Sequence, residues 1–220
     1  MEETATTIQQ RVRSVEAAAV AGLAFAALSI ASLALLTRRP DGLAADDVVA
    51  WYASSGNRLS LIWGLNLAAF SAVAFLWFIA VVRRRIGDRE DRFFATVFFG
   101  GGILYVAIML VGSATLASEA VAMQLVEGYP PNPDALNLTR GIGAALLLVV
   151  VPRVQAVFIV TTSTLIVRTG VLARWVAIVG FVMALVMFVI PLFLEPMGFA
   201  FPAWVAIVSI AILAGTRREP

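Results

Sequence analysis

The sequence predicts an all-α fold, a polytopic bundle of transmembrane helices, from its composition, its long apolar segments and the distribution of its arginines. Of the 220 residues, 61% are hydrophobic and 14% are charged, whereas a soluble domain is usually about one quarter charged. The mean hydropathy is +0.93. This much apolar surface cannot be buried in one core, so lipid must cover the remainder. Helices are then expected, because they satisfy their backbone hydrogen bonds within the segment.

Six apolar segments are long enough to cross a hydrocarbon core of roughly 30 Å at about 1.5 Å per residue. They are 17–36, 60–82, 93–123, 139–167, 171–193 and 198–215. Together they form a single transmembrane domain that includes the whole chain, 1–220. A proline-rich turn, 129–133, separates the third and fourth spans, and Asp134 after it is predicted to be the N-cap of the next helix.

A short surface helix is predicted over 43–53, between the first and second spans. Its apolar residues fall on one helical face, while Asp46 and Asp47 fall on another. This pattern is typical of a helix that lies on the membrane surface. Trp51 and Tyr52 within it are expected to anchor the helix at the outer boundary of the bilayer.

The arginines predict the orientation of the chain. If there are six spans, one side of the membrane carries Arg11, Arg13, Arg83, Arg84, Arg85, Arg89, Arg92, Arg168, Arg174, Arg217 and Arg218. The opposite side carries Arg38, Arg39, Arg58 and Arg140. Because cytoplasmic loops hold the excess of basic residues, both termini are expected in the cytoplasm. The use of arginine without lysine, with abundant Ala, Val and Gly, suggests a bacterial chain and hence the bacterial plasma membrane.

The composition also excludes several kinds of site. Cysteine and histidine are absent, which rules out Cys/His zinc centres, Cys-ligated iron–sulfur clusters, His-ligated haem and His-dependent nucleophiles. We predict no metal and no cofactor. Nucleic acid is not an expected partner, because membrane topology accounts for the basic residues. The expected partners are the lipid bilayer and, as open alternatives, another membrane protein or a second copy of the chain.

Arg153 is the main candidate for a ligand or coupling residue. It lies in the fourth span, fifteen residues before Arg168, which places it roughly 22 Å above the inner boundary, in the outer third of the core. Arginine cannot lose its proton to relieve burial. Pro152 frees a helix carbonyl that can accept from the guanidinium, which is a structural explanation. The functional explanation is a site for an anionic group.

Asn66 and Glu119 complete this candidate site. By the helical rise, Asn66 lies about 9 Å below the outer boundary, at the level of Arg153, and is the preferred neighbour of that arginine. Glu119 lies roughly 14 Å further outward along the third span. A direct ion pair between Glu119 and Arg153 therefore needs a shifted register. The alternative for Glu119 is a solvated position at the outer boundary.

Three stretches carry a family resemblance: Phe75–Phe78 before the arginine loop, Arg168–Trp175 between the fourth and fifth spans, and Trp204–Ser209 in the sixth. They resemble a family of six-span actinobacterial integral membrane proteins of unknown function. This chain has Ala173 where that family commonly has proline. The resemblance covers most of the chain. It implies a plasma-membrane location and carries over no functional residues.

These features favour two function classes over a third. The first is a non-enzymatic accessory or partner-binding membrane protein, because the spans contain few polar groups besides Arg153. The second is a small-solute transporter or channel with an outward-facing site near Arg153. An enzyme is not expected, because the acids Glu119, Glu127 and Asp134 surround one external hairpin without a base or metal arrangement. A hydrated cavity at Arg153 would favour transport, and an arginine bonded to helix carbonyls would favour the accessory role.

Overall fold

The computed structural model describes residues 2–38, 44–86, 92–170, 172–189 and 197–216, and these residues form helices and no strand. The helices in chain order are α1 (Glu2–Leu36), α2 (Ala45–Ala53), α3 (Ser55–Ile86), α4 (Arg92–Leu125), α5 (Pro133–Ala144), α6 (Val151–Thr169), α7 (Arg174–Val189) and α8 (Met197–Thr216). A π-helical segment, Ala145–Val150, joins α5 to α6. The predicted all-α class is therefore confirmed.

In the part of the chain that the structure describes, four helical stretches are long and apolar enough to span a membrane. They are Ala19–Leu36, Ser55–Arg83, Phe93–Leu125 and Pro133–Thr169, and they coincide with the first four predicted spans. The apolar helices Arg174–Val189 and Gly198–Ala214 are shorter and coincide with the last two. The end of the predicted fifth span falls outside the described residues. The predicted surface helix exists as α2, which begins at Ala45.

The N-cap predicted before the fourth span is wrong by two residues. The side chain of Asn132 accepts hydrogen bonds from the backbone N–H groups of Asp134 at 3.0 Å and Ala135 at 3.4 Å. Pro133 occupies the first helical position, which suits its fixed φ and its missing N–H. The proline thus fixes where α5 begins, and Asp134 lies in its first turn.

The helices pack around a common centre. α1 lies along α3 and α8, α3 lies along α4, and α4 contacts α5, the π segment and α6. α7 packs mainly against α6, and its outer face exposes large apolar side chains that suit lipid. α2 rests on α3 and α5 at the end of the bundle where α1 ends.

An aromatic cluster fills the centre of the bundle. The ring of Phe75 has its centroid 4.6 Å from Phe25, 5.1 Å from Tyr105, 5.2 Å from Phe158 and 5.6 Å from Phe201. Four of these five rings are fully buried, and Tyr105 is nearly so. Most of the pairs are tilted or edge-to-face, an arrangement worth about 0.5–1.5 kcal/mol per pair beyond the area buried. This cluster joins α1, α3, α4, α6 and α8.

Glycines allow the helices around this cluster to approach one another closely. A Cβ atom on Gly22 would overlap the Ser209 hydroxyl and lie 2.9 Å from the ring of Phe78. A Cβ atom on Gly64 would lie 2.8 Å from Leu36. Small residues at such contacts are typical of membrane helices, whose association depends on close packing because lipid is as apolar as their side chains.

We expect Gly22→Ala to lower the stability of the protein in detergent by about 1–3 kcal/mol, because the added methyl group overpacks the contact with α3 and α8. The measurement is the thermal unfolding midpoint. Gly100→Ala is the matched control, since that helical glycine has no atom within 4 Å of an added Cβ. A Gly22→Ala midpoint equal to that of Gly100→Ala would contradict the packing described above.

Candidate functional site

A cavity of about 140 Å³ lies between α1, α3, α4 and the π segment. Because one buried water needs about 10–15 Å³ on the same measure, the cavity can hold on the order of ten non-hydrogen atoms. Its lining residues are Ser29, Ser32, Leu33, Leu36, Thr37, Arg38, Tyr52, Leu61, Ser71, Tyr105, Met109, Ser113, Leu116, Arg140, Ala144, Leu147, Leu148, Val151, Gln155 and Gly198. Arg38 is exposed, so the cavity reaches the protein surface there.

The floor of the cavity, which we define as Ser29, Ser71, Tyr105 and Gln155, is polar and deeply buried. Each of these four side chains is at most 5% exposed. The Tyr105 hydroxyl lies within hydrogen-bonding reach of the side chains of Ser29 and Gln155. The Oε1 atom of Gln155 is buried and has no hydrogen-bond partner. Leaving such an acceptor unpaired costs about 1–3 kcal/mol, so a donor that reached it would gain a hydrogen bond that the protein does not supply.

The cavity reaches about 12–15 Å into the bundle. Ser29 lies eight residues before Thr37 in α1, which corresponds to about 12 Å along the helix. Ser71 lies ten residues after Leu61 in α3, or about 15 Å. Below this depth the aromatic cluster closes the bundle, and Tyr105 belongs to both the cluster and the floor. The cavity is therefore open at one end of the bundle and closed at its centre.

The rim of the cavity, which we define as Arg38, Tyr52 and Arg140, is positively charged. Tyr52 comes from α2, where it is 3% exposed, so the predicted role as an anchor at the membrane boundary is wrong for this residue. Its side chain turns inward because α2 buries Tyr52 together with Val48 against α3 and α5. The pKa of Tyr52 is raised above its ordinary value, and burial is the largest cause. The positive charge of Arg140 partly offsets this rise, and the negative charge of Glu119 adds to it.

Glu119 lies behind this rim. It is 8% exposed, which differs from the solvated position considered for it. The Tyr129 hydroxyl, in the turn between α4 and α5, donates to Glu119 Oε2 at 3.2 Å. The carboxylate charge raises the pKa of Tyr129, because it disfavours a second negative charge beside it. Glu119 thus acts on both tyrosines and does not line the cavity.

Arg153 is bonded within its own helix. Its Nη1 atom donates to the carbonyl of Val149 at 2.6 Å. The carbonyl belongs to the π segment, where the backbone N–H of Val151 donates five residues back to Leu146. Buried Pro152 follows directly, and its missing N–H disturbs the regular ladder at this point. The bond of Arg153 to a carbonyl near Pro152 is the structural explanation that the sequence offered for an arginine inside a span.

Asn66 does not need Arg153 as a partner, because its Nδ2 atom donates to the carbonyl of Ile62 in its own helix at 2.8 Å. The cavity lining includes none of the four predicted site residues, Arg153, Pro152, Asn66 and Glu119. The structure thus leaves Arg153 and Asn66 each bonded to its own helix. Glu119 approaches the cavity indirectly, through its effect on Tyr52.

Sequence reasoning missed the residues that form the floor and the rim. Gln155 follows Arg153 by two residues, and it shares the buried face of α6 with Pro152 and Ile159. A neutral amide on an apolar helical face is a signal that could have identified it. Tyr105 carries a similar signal, because it lies near the middle of a span, too deep for an interfacial tyrosine. For Arg140 and Tyr52, sequence position predicted an interface and gave no indication of a shared cavity.

Comparison with known proteins gives no assignment: no family model, curated protein or solved structure matches the chain. The described residues also contain no group of three or more His, Cys, Asp or Glu that could hold a metal ion. The chemistry of the cavity is therefore read from its own groups, which are hydroxyls, one amide, apolar side chains and two guanidinium groups.

We expect Glu119→Gln to lower the pKa of Tyr129, because the substitution removes the negative charge that raises it. The measurement is the alkaline titration of tyrosinate absorbance, with Tyr129→Phe identifying the transition. Glu127→Gln is the control, since Glu127 is exposed and is not among the groups that shift the pKa of Tyr129. Equal shifts in both variants would contradict a specific effect of Glu119.

We expect Arg153→Leu to lower the stability of the protein by about 1 kcal/mol, the typical net value of a lost hydrogen bond, since the bond from the guanidinium to the Val149 carbonyl is removed. Thermal unfolding in one detergent measures this change. Arg153→Lys keeps a donor on a shorter side chain. Its unfolding midpoint should therefore lie between those of Arg153→Leu and the unmodified protein. A more stable Arg153→Leu variant would show that the arginine is retained against stability, as a functional residue would be.

Proposed function

We propose that the chain is a non-enzymatic, six-span protein of the bacterial plasma membrane that binds a small solute in the outward-facing cavity. Transport of that solute is the corresponding activity. The observation that carries this proposal is the buried, unpaired Oε1 atom of Gln155 on the floor of a cavity open to the surface. A buried polar group without a protein partner favours a ligand that supplies the missing donor.

The proposed orientation places the rim outside and both termini in the cytoplasm. The opposite end of the bundle carries Arg83, which lies 5.0 Å above the ring of Phe99, and Arg168, which lies 4.5 Å above the ring of Phe94. Arginines that extend over aromatic rings at the end of apolar helices are consistent with a membrane boundary. The excess of arginine at this end supports a cytoplasmic side by the positive-inside rule.

An accessory or partner-binding role is the second candidate. The hydrogen bond from Arg153 to Val149 favours it, because an arginine satisfied by its own helix does not require a ligand. The cavity favours solute binding through other residues, Gln155 and Tyr105, so the two roles now depend on different parts of the chain. The resemblance to six-span actinobacterial membrane proteins is compatible with both roles.

Accessibility of single cysteines tests the proposed cavity, and the absence of native cysteine makes the background low. We expect Ser29→Cys, on the floor and 5% exposed, to react in intact cells with the membrane-impermeant anion methanethiosulfonate ethylsulfonate. Ser163→Cys is the buried control: Ser163 is 0% exposed, does not line the cavity and lies in α6 beyond Phe158 of the aromatic cluster. Ser54→Cys, exposed between α2 and α3, is the positive control for the outer side.

Reaction of Ser54→Cys and Ser29→Cys, without reaction of Ser163→Cys, is the expected pattern. Reaction of Ser54→Cys alone would overturn a water-accessible cavity. If Ser54→Cys reacts only after the cells are opened, the proposed orientation is wrong. Labelling is measured by the thiols that remain for a maleimide reagent after denaturation.

A further inference from the structure

We infer that the solute is a small amphipathic anion that carries a neutral hydrogen-bond donor at the end away from its charge. This inference rests on the proposed function. It follows from the order of chemical groups along the cavity: two guanidinium groups at the rim, leucines along the wall and an unpaired amide acceptor on the floor.

The rim selects for an anionic group. Arg38 and Arg140 line the cavity, and no carboxylate is among the lining residues that the structure describes. Arginine stays protonated in proteins, and its planar fork binds carboxylate or phosphate oxygens in pairs. Glu119, behind the rim, accepts its hydrogen bond from Tyr129. The local field at the opening therefore attracts anions and disfavours cations.

The floor selects for a neutral donor. Gln155 Oε1 has no hydrogen-bond partner in the protein, and the Tyr105 hydroxyl lies within hydrogen-bonding reach of the Gln155 and Ser29 side chains. A ligand ammonium would lose its hydration at this depth without meeting a carboxylate, which is costly. A hydroxyl or an amide N–H satisfies the same acceptor without burying a charge. The buried end of the ligand is therefore neutral.

The wall sets the size and the apolar middle of the ligand. Leucines on α1, α3, α4 and the π segment line the space between rim and floor: Leu33, Leu36, Leu61, Leu116, Leu147 and Leu148. The depth of about 12 Å and the capacity of about ten non-hydrogen atoms match a short chain with two polar ends. They are too small for the acyl chains of a phospholipid.

The test uses the full chain in nanodiscs of zwitterionic phosphatidylcholine, with isothermal titration calorimetry of three matched probes. The probe 6-hydroxyhexanoate has the proposed anion, apolar middle and donor. Hexanoate lacks the donor, and hexane-1,6-diol lacks the anion. We expect 6-hydroxyhexanoate to bind about tenfold more tightly than either, the equivalent of one net hydrogen bond or one weak charge contact.

Substitutions assign each preference to its residue. Gln155→Met keeps the length of the side chain and should remove the advantage of 6-hydroxyhexanoate over hexanoate. Arg140→Leu should remove its advantage over the diol. Arg153→Leu also removes one arginine but lies outside the cavity lining, and it should leave all three affinities unchanged. Preferences that persist in Gln155→Met and Arg140→Leu would overturn the assignment.

Failure of the ligand class is distinguishable from failure of the proposed function. If Ser29→Cys is labelled but the diol binds as well as the anion, or no probe binds, the cavity is open and the ligand class is wrong. If Ser29→Cys is unlabelled, the cavity itself is refuted.

Nanodiscs that contain anionic phosphatidylglycerol identify the source of the anionic group. Unchanged binding of 6-hydroxyhexanoate supports a dissolved solute. Binding that phosphatidylglycerol abolishes, and that Arg140→Leu makes insensitive to this lipid, would overturn the dissolved solute in favour of a lipid headgroup.

Discussion

Close packing of helix backbones is the constraint on which the structure depends. Lipid gives apolar helices no hydrophobic reason to associate, so contact surfaces must fit. Gly22 and Gly64 let α1 lie directly against its neighbours, and the Ser32 hydroxyl donates to the carbonyl of Gly64 at 2.7 Å across this contact. The aromatic cluster around Phe75 then fills the centre. The aromatic cluster ends at Tyr105. Beyond this residue the helices remain apart, and the cavity lies between them.

The π segment decides which polar residues of α6 point into the bundle. Successive residues of a helix are separated by about 100°, so one extra residue in a turn rotates everything that follows. With the π segment in place, Gln155 lies on the floor of the cavity and Arg153 bonds to the backbone of its own helix. π-helical turns are often found at functional sites. Here the π segment places the Arg153 guanidinium against its own helix and Gln155 in the candidate site.

The rim connects the outer surface helix to the cavity. α2 contributes Tyr52, which is buried against α3 and α5. The charges of Arg140 and Glu119 shift the pKa of Tyr52 in opposite directions. Glu119 in turn accepts a hydrogen bond from Tyr129 in the neighbouring turn. The opening of the cavity is therefore formed by Arg38 just beyond the end of α1, Tyr52 of α2 and Arg140 of α5, and its two arginines make it positively charged. The floor depends instead on residues inside the membrane-spanning helices.

The sequence by itself determined the helical class, the places of the apolar helices and the surface helix, because hydropathy, length and periodicity depend on neighbours along the chain. It also indicated that Arg153 could bond to a carbonyl of its own helix near Pro152, since such a contact is confined to one helix. Only the tertiary structure decided the site. Gln155, Tyr105 and Arg140 are distant in sequence, and their meeting depends on the rotation of each helix about its axis. That rotation is fixed by interhelical packing. The sequence does not specify it, because these helices are hydrophobic on most faces.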